Sequence, residues 1–399
     1  MNASIALPAG FSAAGVHCGI KRDTDKLDLS LLVSDRDAVA AGVYTTNLVF
    51  AAPVGLDRAR TPGGDIRVVV INSGNANACT GPKGDADAKE MARLAAEAVG
   101  AKAEQALVLS TGVIGFYIPM ENVAAGIQAA AKNLGDSEDH IVAAARGMLT
   151  TDTVHKVAAR EIQIGDRTVR LLGFAKGAAM IGPRMATMLG TVLTDAPLTP
   201  DVAQAALRHA TEDTFNCITI DGHMSTNDTV LLLANGAAGG NPLSGADLEQ
   251  FQQSLHELCG ELARAIPADG EGATHLVTLD VTGCKTREDA RVIAKAVCES
   301  ALVKTAIAGA DPNWGRIVSA AGYAGIPFQP EGVSLWVNDI QLYKNGAPVP
   351  FDKPAASKSI RENRDTKVLL TFSEGEARIR FWTTDLTAEY VRLNADYTT

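Results

Sequence analysis

One hydroxyl in this chain sits where it could do covalent chemistry. Thr187 follows the small residue Ala186, at the end of a stretch broken by Gly182-Pro183, and precedes the apolar run Met188-Leu189-Gly190-Thr191-Val192-Leu193. If the chain were cut before Thr187, the new N-terminal amine, with an ordinary pKa of about 7.7–8.0, could serve as base for the residue's own hydroxyl. A strand threonine after a turn explains the same local pattern, so distant residues must decide. Thr111-Gly112 closes the apolar run Ala106-Leu107-Val108-Leu109. It can aim an N–H and a hydroxyl at a developing oxyanion, or be a turn whose glycine supplies a positive φ. Lys176 is the only charge between Arg170 and Arg184, either solvated or placed to hold a carboxylate. Glu271 lies between Gly270 and Gly272, a loop charge or a receptor for an ammonium group. Asn216 and Asp228 flank a strand pair and read as turn formers.

The elements that must position these residues follow from periodicity. Residues 27–57 alternate in strand fashion, and 66–72, 106–109, 160–164, 168–172, 190–195, 217–221, 229–234 and 275–281 read as further strands. Strands at 333–342, 367–372 and 376–384 close the chain. Helices are expected over 85–99 with Asp residues in the first turn, 121–134, 137–148 capped by Ser137, from Thr199-Pro200-Asp201 onward, 245–266 ending at Pro267, and 287–301. The pattern is mixed α/β, closer to a layered α+β arrangement than to a strict βαβ repeat. The loop at 73–81 has a glycine-loop texture but neither GxGxxG nor GxxxxGK[ST], which argues against phosphate binding. The terminal Asn394-Ala395-Asp396-Tyr397-Thr398-Thr399 is unusually polar for an end that would by default fray.

Bulk properties remove several function classes. With 399 residues, two domains or two interleaved halves are expected. A net charge of −10 disfavours nucleic acid or an anionic membrane as partner. No run of 18 or more apolar residues suggests a transmembrane helix, and the N-terminus lacks the basic and apolar regions of a signal peptide. The six cysteines contain no CxxC and read as reduced thiols, while the seven histidines form no HExxH, so no metal site is expected.

Taken together, the separate blocks carry a resemblance. KGAAMIGPRMATML (176–189) resembles the KGxGMIxPxMATML signature of the ornithine acetyltransferase family, the bifunctional arginine-biosynthesis N-acetyltransferases. INSGNANACTG, STGVIG, MLTTDT, TFNCITIDGHMSTND, DGEGAT, LVKTAIAGADPNWGR and YVRLNADYTT resemble further family blocks, in family order, across essentially the whole chain. The resemblance implies a precursor that cuts itself between Ala186 and Thr187 into an α chain, 1–186, and a β chain, 187–399. It also implies a two-domain N-terminal-threonine-nucleophile fold and an α2β2 assembly in the cytoplasm. Thr187 would be the nucleophile and Thr111 and Gly112 the oxyanion hole, with Thr150, Thr151, Lys176, Glu271, Asn394 and Thr399 lining the substrate site. The implied reaction passes acetyl from N-acetylornithine to glutamate through an acetyl-threonyl enzyme, without metal or organic cofactor.

Five positions depart from the family pattern: Ala179 for Gly, His223-Met224 for Asp-Thr, His275 for Lys and His155 for Pro. They bear on substrate preference rather than on the nucleophile. Three distinctions stay open in the sequence: whether acetyl-CoA is a second acetyl donor, whether water or another N-acetyl amino acid takes part instead, as in an amidohydrolase, aminopeptidase or paralogue, and whether the chain is an uncut binding protein. Intact mass decides the last. Purified wild type should give two fragments divided at 186/187, and Thr187→Ala a single inactive chain of 41.6 kDa. A wild-type chain that stays whole, or a Thr187→Ala chain that matures, refutes the assignment.

Overall fold

Within the computed structural model, residues 5–182 and 188–396 are described. Ala186, Thr187 and Thr399, all assigned roles above, lie outside them. The first sheet is built from β1 (Phe11–Val16), β2 (Leu29–Tyr44), β3 (Gly63–Asn75), β4 (Ala106–Val113), β5 (Lys156–Ile164), β6 (Arg167–Lys176), β7 (Leu189–Thr194) and β8 (Thr229–Ala234). Its strands run in the order β4-β3-β2-β8-β7-β6-β5, with β1 added beside the first half of β2. Two of its neighbouring pairs, β3–β4 and β7–β8, are parallel. Their crossovers carry helices α2 (Gly81–Ala98) and α5 (Pro200–Glu212), after α1 (Ala52–Arg60) and before α6 (Gly245–Ala268). Helices α3 (Met120–Lys132) and α4 (Glu138–Gly147) fill the connection from β4 to β5.

Every residue of β7 and β8 is buried, as their near-continuous apolar runs require of strands covered on both faces. One face carries α5 and α6. Phe251, Leu255, Leu258, Leu262 and Ile266 recur at helical spacing and pack with Val192, Leu232 and Phe215. Gly173 on β6 makes the close approach of α6 possible, because a Cβ there would lie 2.6 Å from Leu258 and 2.7 Å from Leu262. The opposite face of β7 and β8 packs with Ile141, Ala144, Ala145 and Met148 from α4 and the segment after it, and α2 and α3 cover β3 and β4.

The second sheet, in the order β12-β11-β10-β13-β9-β14, uses β9 (Leu276–Cys284), β10 (Ser334–Val337), β11 (Ile340–Lys344), β12 (Ala347–Pro348), β13 (Asp365–Thr371) and β14 (Ala377–Thr384). Helices α7 (Arg287–Glu299), α8 (Ala301–Ala308), α9 (Trp314–Gly322) and α10 (Lys353–Glu362) accompany it, and α11 (Ala388–Asp396) returns toward the first sheet. Helix α7 starts at a reciprocal cap: Thr286 Oγ1 accepts from Asp289 N at 3.1 Å, and Asp289 Oδ2 from Thr286 N at 3.1 Å. The architecture is the expected mixed, layered α/β. The expected cut at 186/187 does not coincide with the division between sheets, because β7 and β8 complete the first sheet from beyond it.

Several local expectations are corrected. Residues 27–57 do not alternate throughout; they include the long β2 and most of α1, whose start carries a proline in its first turn. Residues 217–221 form no strand, since Phe215–Cys217 is a 3-10 turn and Ile218 makes only an isolated bridge to Trp382. Helix α2 begins at Gly81, so Asp85 is not in its first turn. Ser137 precedes α4, but its hydroxyl pairs with the His140 ring at 2.6 Å rather than capping a backbone N–H. Pro267 does not stop α6, which continues through it to Ala268. Strand 333–342 divides at Asn338-Asp339, both at positive φ, into β10 and β11. Because Phe251 is fully buried between α6 and the sheet, Phe251→Ala should lower unfolding free energy by about 3–5 kcal/mol, read as a fall in the urea midpoint at unchanged slope.

Candidate active site

The residues singled out for chemistry come from distant elements and meet at the ends of strands. Thr111 and Gly112 belong to β4 rather than to a turn beyond it. Gly112 pairs with Gly74 of β3, where the ladder is irregular. Gly112 has φ +131°, and a Cβ there would fall 2.3 Å from the Gly74 carbonyl carbon, so the position accepts only glycine. Lys176 ends β6 and donates through Nζ to Thr111 Oγ1 at 3.0 Å. It is buried, not solvated. Burial pushes the Lys176 ammonium below its ordinary range, and the Asp152 charge opposes that shift.

A cavity of about 320 Å³ opens over these groups. Thr111, Gly112, Thr150, Thr151, Lys176, Glu271 and Asn394 all line it, so every candidate substrate or oxyanion residue that is described reaches one space. Ala179 and Met180, which lead into the 183–187 segment, line it too. His223, one of the departures from the family pattern, also borders it.

The loops carrying these side chains are held by a buried ionic bridge that periodicity does not reveal. Lys156 Nζ lies 2.7 Å from both Asp152 Oδ1 and Asp269 Oδ2. Asp152 Oδ1 also accepts from Gly177 N at 2.6 Å, and Oδ2 from Thr150 N at 3.2 Å. Burial opposes ionisation of Asp152, but Lys156, Lys176 and these hydrogen bonds outweigh it and hold the pKa at about 2. Asp269, capping α6, accepts from Thr153 N at 3.1 Å and from the Thr153 hydroxyl. Two residues on, Glu271 N donates to Ala178 O at 2.8 Å. One chain of contacts thus joins the Thr150-Thr151 loop, the end of β6 and the Glu271 loop.

Asp221 and Tyr390 are site residues missed by the sequence reading. Asp221 Oδ2 accepts from Met180 N at 2.6 Å and from the Tyr390 hydroxyl at 3.0 Å, and Oδ1 accepts from Ile181 N at 2.9 Å and His223 N at 3.1 Å. Both line the cavity. In the sequence Asp221-Gly222 looks like an ordinary turn, and Tyr390 sits where fraying is the default. Residues 388–396 instead form the helix α11, and Asn394 Nδ2 donates to Glu271 Oε2 at 2.8 Å. Asp228 is not a surface turn former either. It is fully buried, accepts from Met188 N at 3.0 Å, and burial pushes its carboxyl well above the usual range.

Electrostatically the cavity presents an ammonium beside a hydroxyl at one place and carboxylates at another. That arrangement suits a small zwitterionic substrate whose reacting carbonyl lies near Thr111 and Gly112. Among the described residues, no group of three or more His, Cys, Asp or Glu is placed to hold a metal ion. No helix among them is long and apolar enough to cross a membrane.

Residues 12–399 match the ArgJ family. The chain is 47% identical over 396 residues to the arginine biosynthesis bifunctional protein ArgJ of Rhodopirellula baltica, covering 98% of this chain and 96% of that one. Identity to the protein of the same name from Symbiobacterium thermophilum is 49% over 399 residues, with 99% and 98% covered. The crystal structure of arginine biosynthesis bifunctional protein ArgJ from Bacillus halodurans superposes with a TM-score of 0.51 at 39% identity, covering 52% of this chain and 98% of that one.

The ionic bridge makes a sharp prediction. Lys156→Met leaves Asp152 and Asp269 buried without their shared cation, and should cost about 3–5 kcal/mol, measured by urea unfolding at pH 7. A loss below about 1 kcal/mol, the scale of an exposed pair, would contradict the bridge.

Proposed function

The chain belongs to the ArgJ family, and from that premise we propose that it transfers acetyl from N-acetylornithine to glutamate, as an acyltransferase of arginine biosynthesis. The observation carrying this reading is the single cavity that gathers Thr111, Gly112, Thr150, Thr151, Lys176, Glu271 and Asn394 from both sides of position 187. Thr187 is the proposed nucleophile. Attack of its hydroxyl on the Ala186 carbonyl, followed by hydrolysis of the resulting ester, frees Ala186 as a carboxylate and Thr187 as an N-terminal amine. The Bacillus halodurans chain, matched over nearly its full length by about half of this one, supports such a division.

In the matured enzyme the Thr187 amine takes the proton from its own hydroxyl as that oxygen attacks the acetyl carbonyl. Negative charge forms on the carbonyl oxygen, and the proposed stabilisers are Thr111 and Gly112. Collapse expels ornithine, which leaves with the proton, and acetyl remains as a threonyl ester. Glutamate then enters, and its amine attacks the ester to give N-acetylglutamate and restore the hydroxyl. Lys176 is complementary to the substrate carboxylate, and Glu271, held by Asn394, to the side-chain ammonium of N-acetylornithine. Each step moves only an acyl group and protons, so the route needs no cofactor. Acetyl-CoA is proposed as an additional donor. The cytoplasm as location, an α2β2 assembly of the two fragments, and a role for Thr399 in the site complete the reading.

Incubation with acetyl-labelled N-acetylornithine alone should leave one acetyl group on the fragment beginning at Thr187, and glutamate should remove it as N-acetylglutamate. Thr111→Val should mature but lose about 10²-fold to 10³-fold in kcat. Label released as acetate at the same rate without glutamate would instead identify a hydrolase, and label from acetyl-CoA in N-acetylglutamate would establish the second donor.

A further inference from the structure

His275 stands outside the cavity, yet it is wired to both elements that carry its carboxylate end. It directly precedes β9 and follows Glu271 by four residues. Its Nδ1 lies 2.8 Å from Asp385 Oδ2, and its Nε2 lies 3.2 Å from the carbonyl oxygen of Ile360 at the end of α10. A carboxylate and a carbonyl only accept hydrogen bonds, while a neutral imidazole has one N–H to give. Satisfying both contacts requires the imidazolium. The Thr274 hydroxyl sits 2.9 Å from Nδ1 and spends its own proton on Asp385. Thr274 N donates to Asp385 Oδ1 at 2.9 Å.

Asp385 in turn begins the short link to α11. Thr387 Oγ1 donates to Gly272 O at 2.7 Å. Gly272 has φ +65°, and a Cβ there would lie 2.5 Å from Tyr390 N. The Glu271 loop and α11 are therefore in contact along the whole path from Asp385 through Thr387 and Tyr390 to Asn394, which bonds Glu271 itself.

We propose that His275, in its doubly protonated form, is the positioning residue that clamps the Glu271 loop to α11 and so sets affinity for the ammonium group of the amino-acid substrate. This rests on the reading of Glu271 as the ammonium receptor. When Nε2 loses its proton, its lone pair faces the Ile360 carbonyl and the charge opposite Asp385 disappears, so the clamp loosens without any change at the nucleophile. The groups facing His275 are Asp385, whose hydrogen bond raises the imidazole pKa against the effect of burial, and Arg364, which lowers it. Burial works against the Asp385 carboxylate, and the bonds from His275 and Thr274 more than offset it. Lys304 of α8 is the other buried cation here, bonded to Thr384 O at 2.6 Å, with burial lowering its pKa to about 8. Because the folded His275 pKa is raised, its contribution is complete below the ordinary histidine value of about 6.5 and is lost as pH climbs through the raised value.

The test is the pH dependence of KM and kcat for N-acetylornithine between pH 6.5 and 9.5 in wild type, H275K and H275Q. A lysine, with an ordinary pKa of about 10.4 and the Asp385 carboxylate beside it, keeps its charge to higher pH than the histidine, so H275K separates His275 from the titrations of Lys176 and Lys304, which both enzymes share. The KM of wild type should climb about threefold to tenfold more than that of H275K, with the kcat ratio constant. H275Q should show the raised KM already at pH 6.5. The protection of amides across residues 388–396, taken relative to the intrinsic base-catalysed exchange rate at each pH and measured without substrate, should fall with pH in wild type and not in H275K. Parallel KM profiles and parallel exchange in wild type and H275K overturn the proposal. If no acetyl transfer occurs with any variant while the exchange difference persists, the functional reading fails and the clamp stands.

Discussion

The buried bridge from Asp152 through Lys156 to Asp269 is the contact on which the rest of the site depends. Three charges removed from water are costly unless each is paired and hydrogen-bonded. Here one ammonium lies 2.7 Å from two carboxylates, which collect further N–H and hydroxyl bonds from Thr150, Thr153 and Gly177. The geometry has little freedom, because shifting any one of the three loops exposes an unpaired charge to a low-dielectric interior. The same field reaches Lys176, whose charge is opposed by burial and by Lys156 and favoured by Asp152.

Around this bridge the chain uses backbone closeness rather than bulk. Gly112 touches Gly74 at the end of the parallel β3–β4 pair, and Gly272 lets the first turn of α11 lie against the Glu271 loop. At each place a methyl group would separate elements that must touch for their side chains to reach one cavity. Asp221 performs a related task on the approach to the 183–187 segment. It gathers the N–H groups of Met180, Ile181 and His223 and the Tyr390 hydroxyl on one carboxylate. Met180 itself stands at φ +57°, a conformation that costs a non-glycine residue energy and is maintained by the bonds on either side of it.

The acyl-transfer chemistry fits this construction. A ping-pong acyl transfer asks one site to hold two amino acids in turn, and a compact set of opposite charges can receive both carboxylates without reorganising. Halves divided at 186/187 would need no separate docking surface, since β7 and β8 are internal strands of a sheet whose other members precede that position. If the backbone is cut there, the hydrogen-bonded ladders of β6–β7 and β2–β8 hold the fragments together.

The sequence by itself determined the nucleophile candidate, the family resemblance, the layered α/β class and most buried strands and helices, because each depends on local periodicity or on contiguous motifs. Thr111, Gly112, Thr150, Thr151, Lys176, Glu271 and Asn394 were legible for the same reason, as they lie in blocks long enough to compare. The tertiary structure alone decided that Lys156 and Asp269, 113 positions apart, form one ionic bridge, that Asp221 and Tyr390 meet 169 positions apart, and that residues 388–396 are a helix against the site. It also turned Asp228 from a turn former into a buried acid. Charge pairing across such separations leaves no periodic trace, and a lone Asp, Lys or Tyr acquires its pKa and its role only from what the fold packs against it.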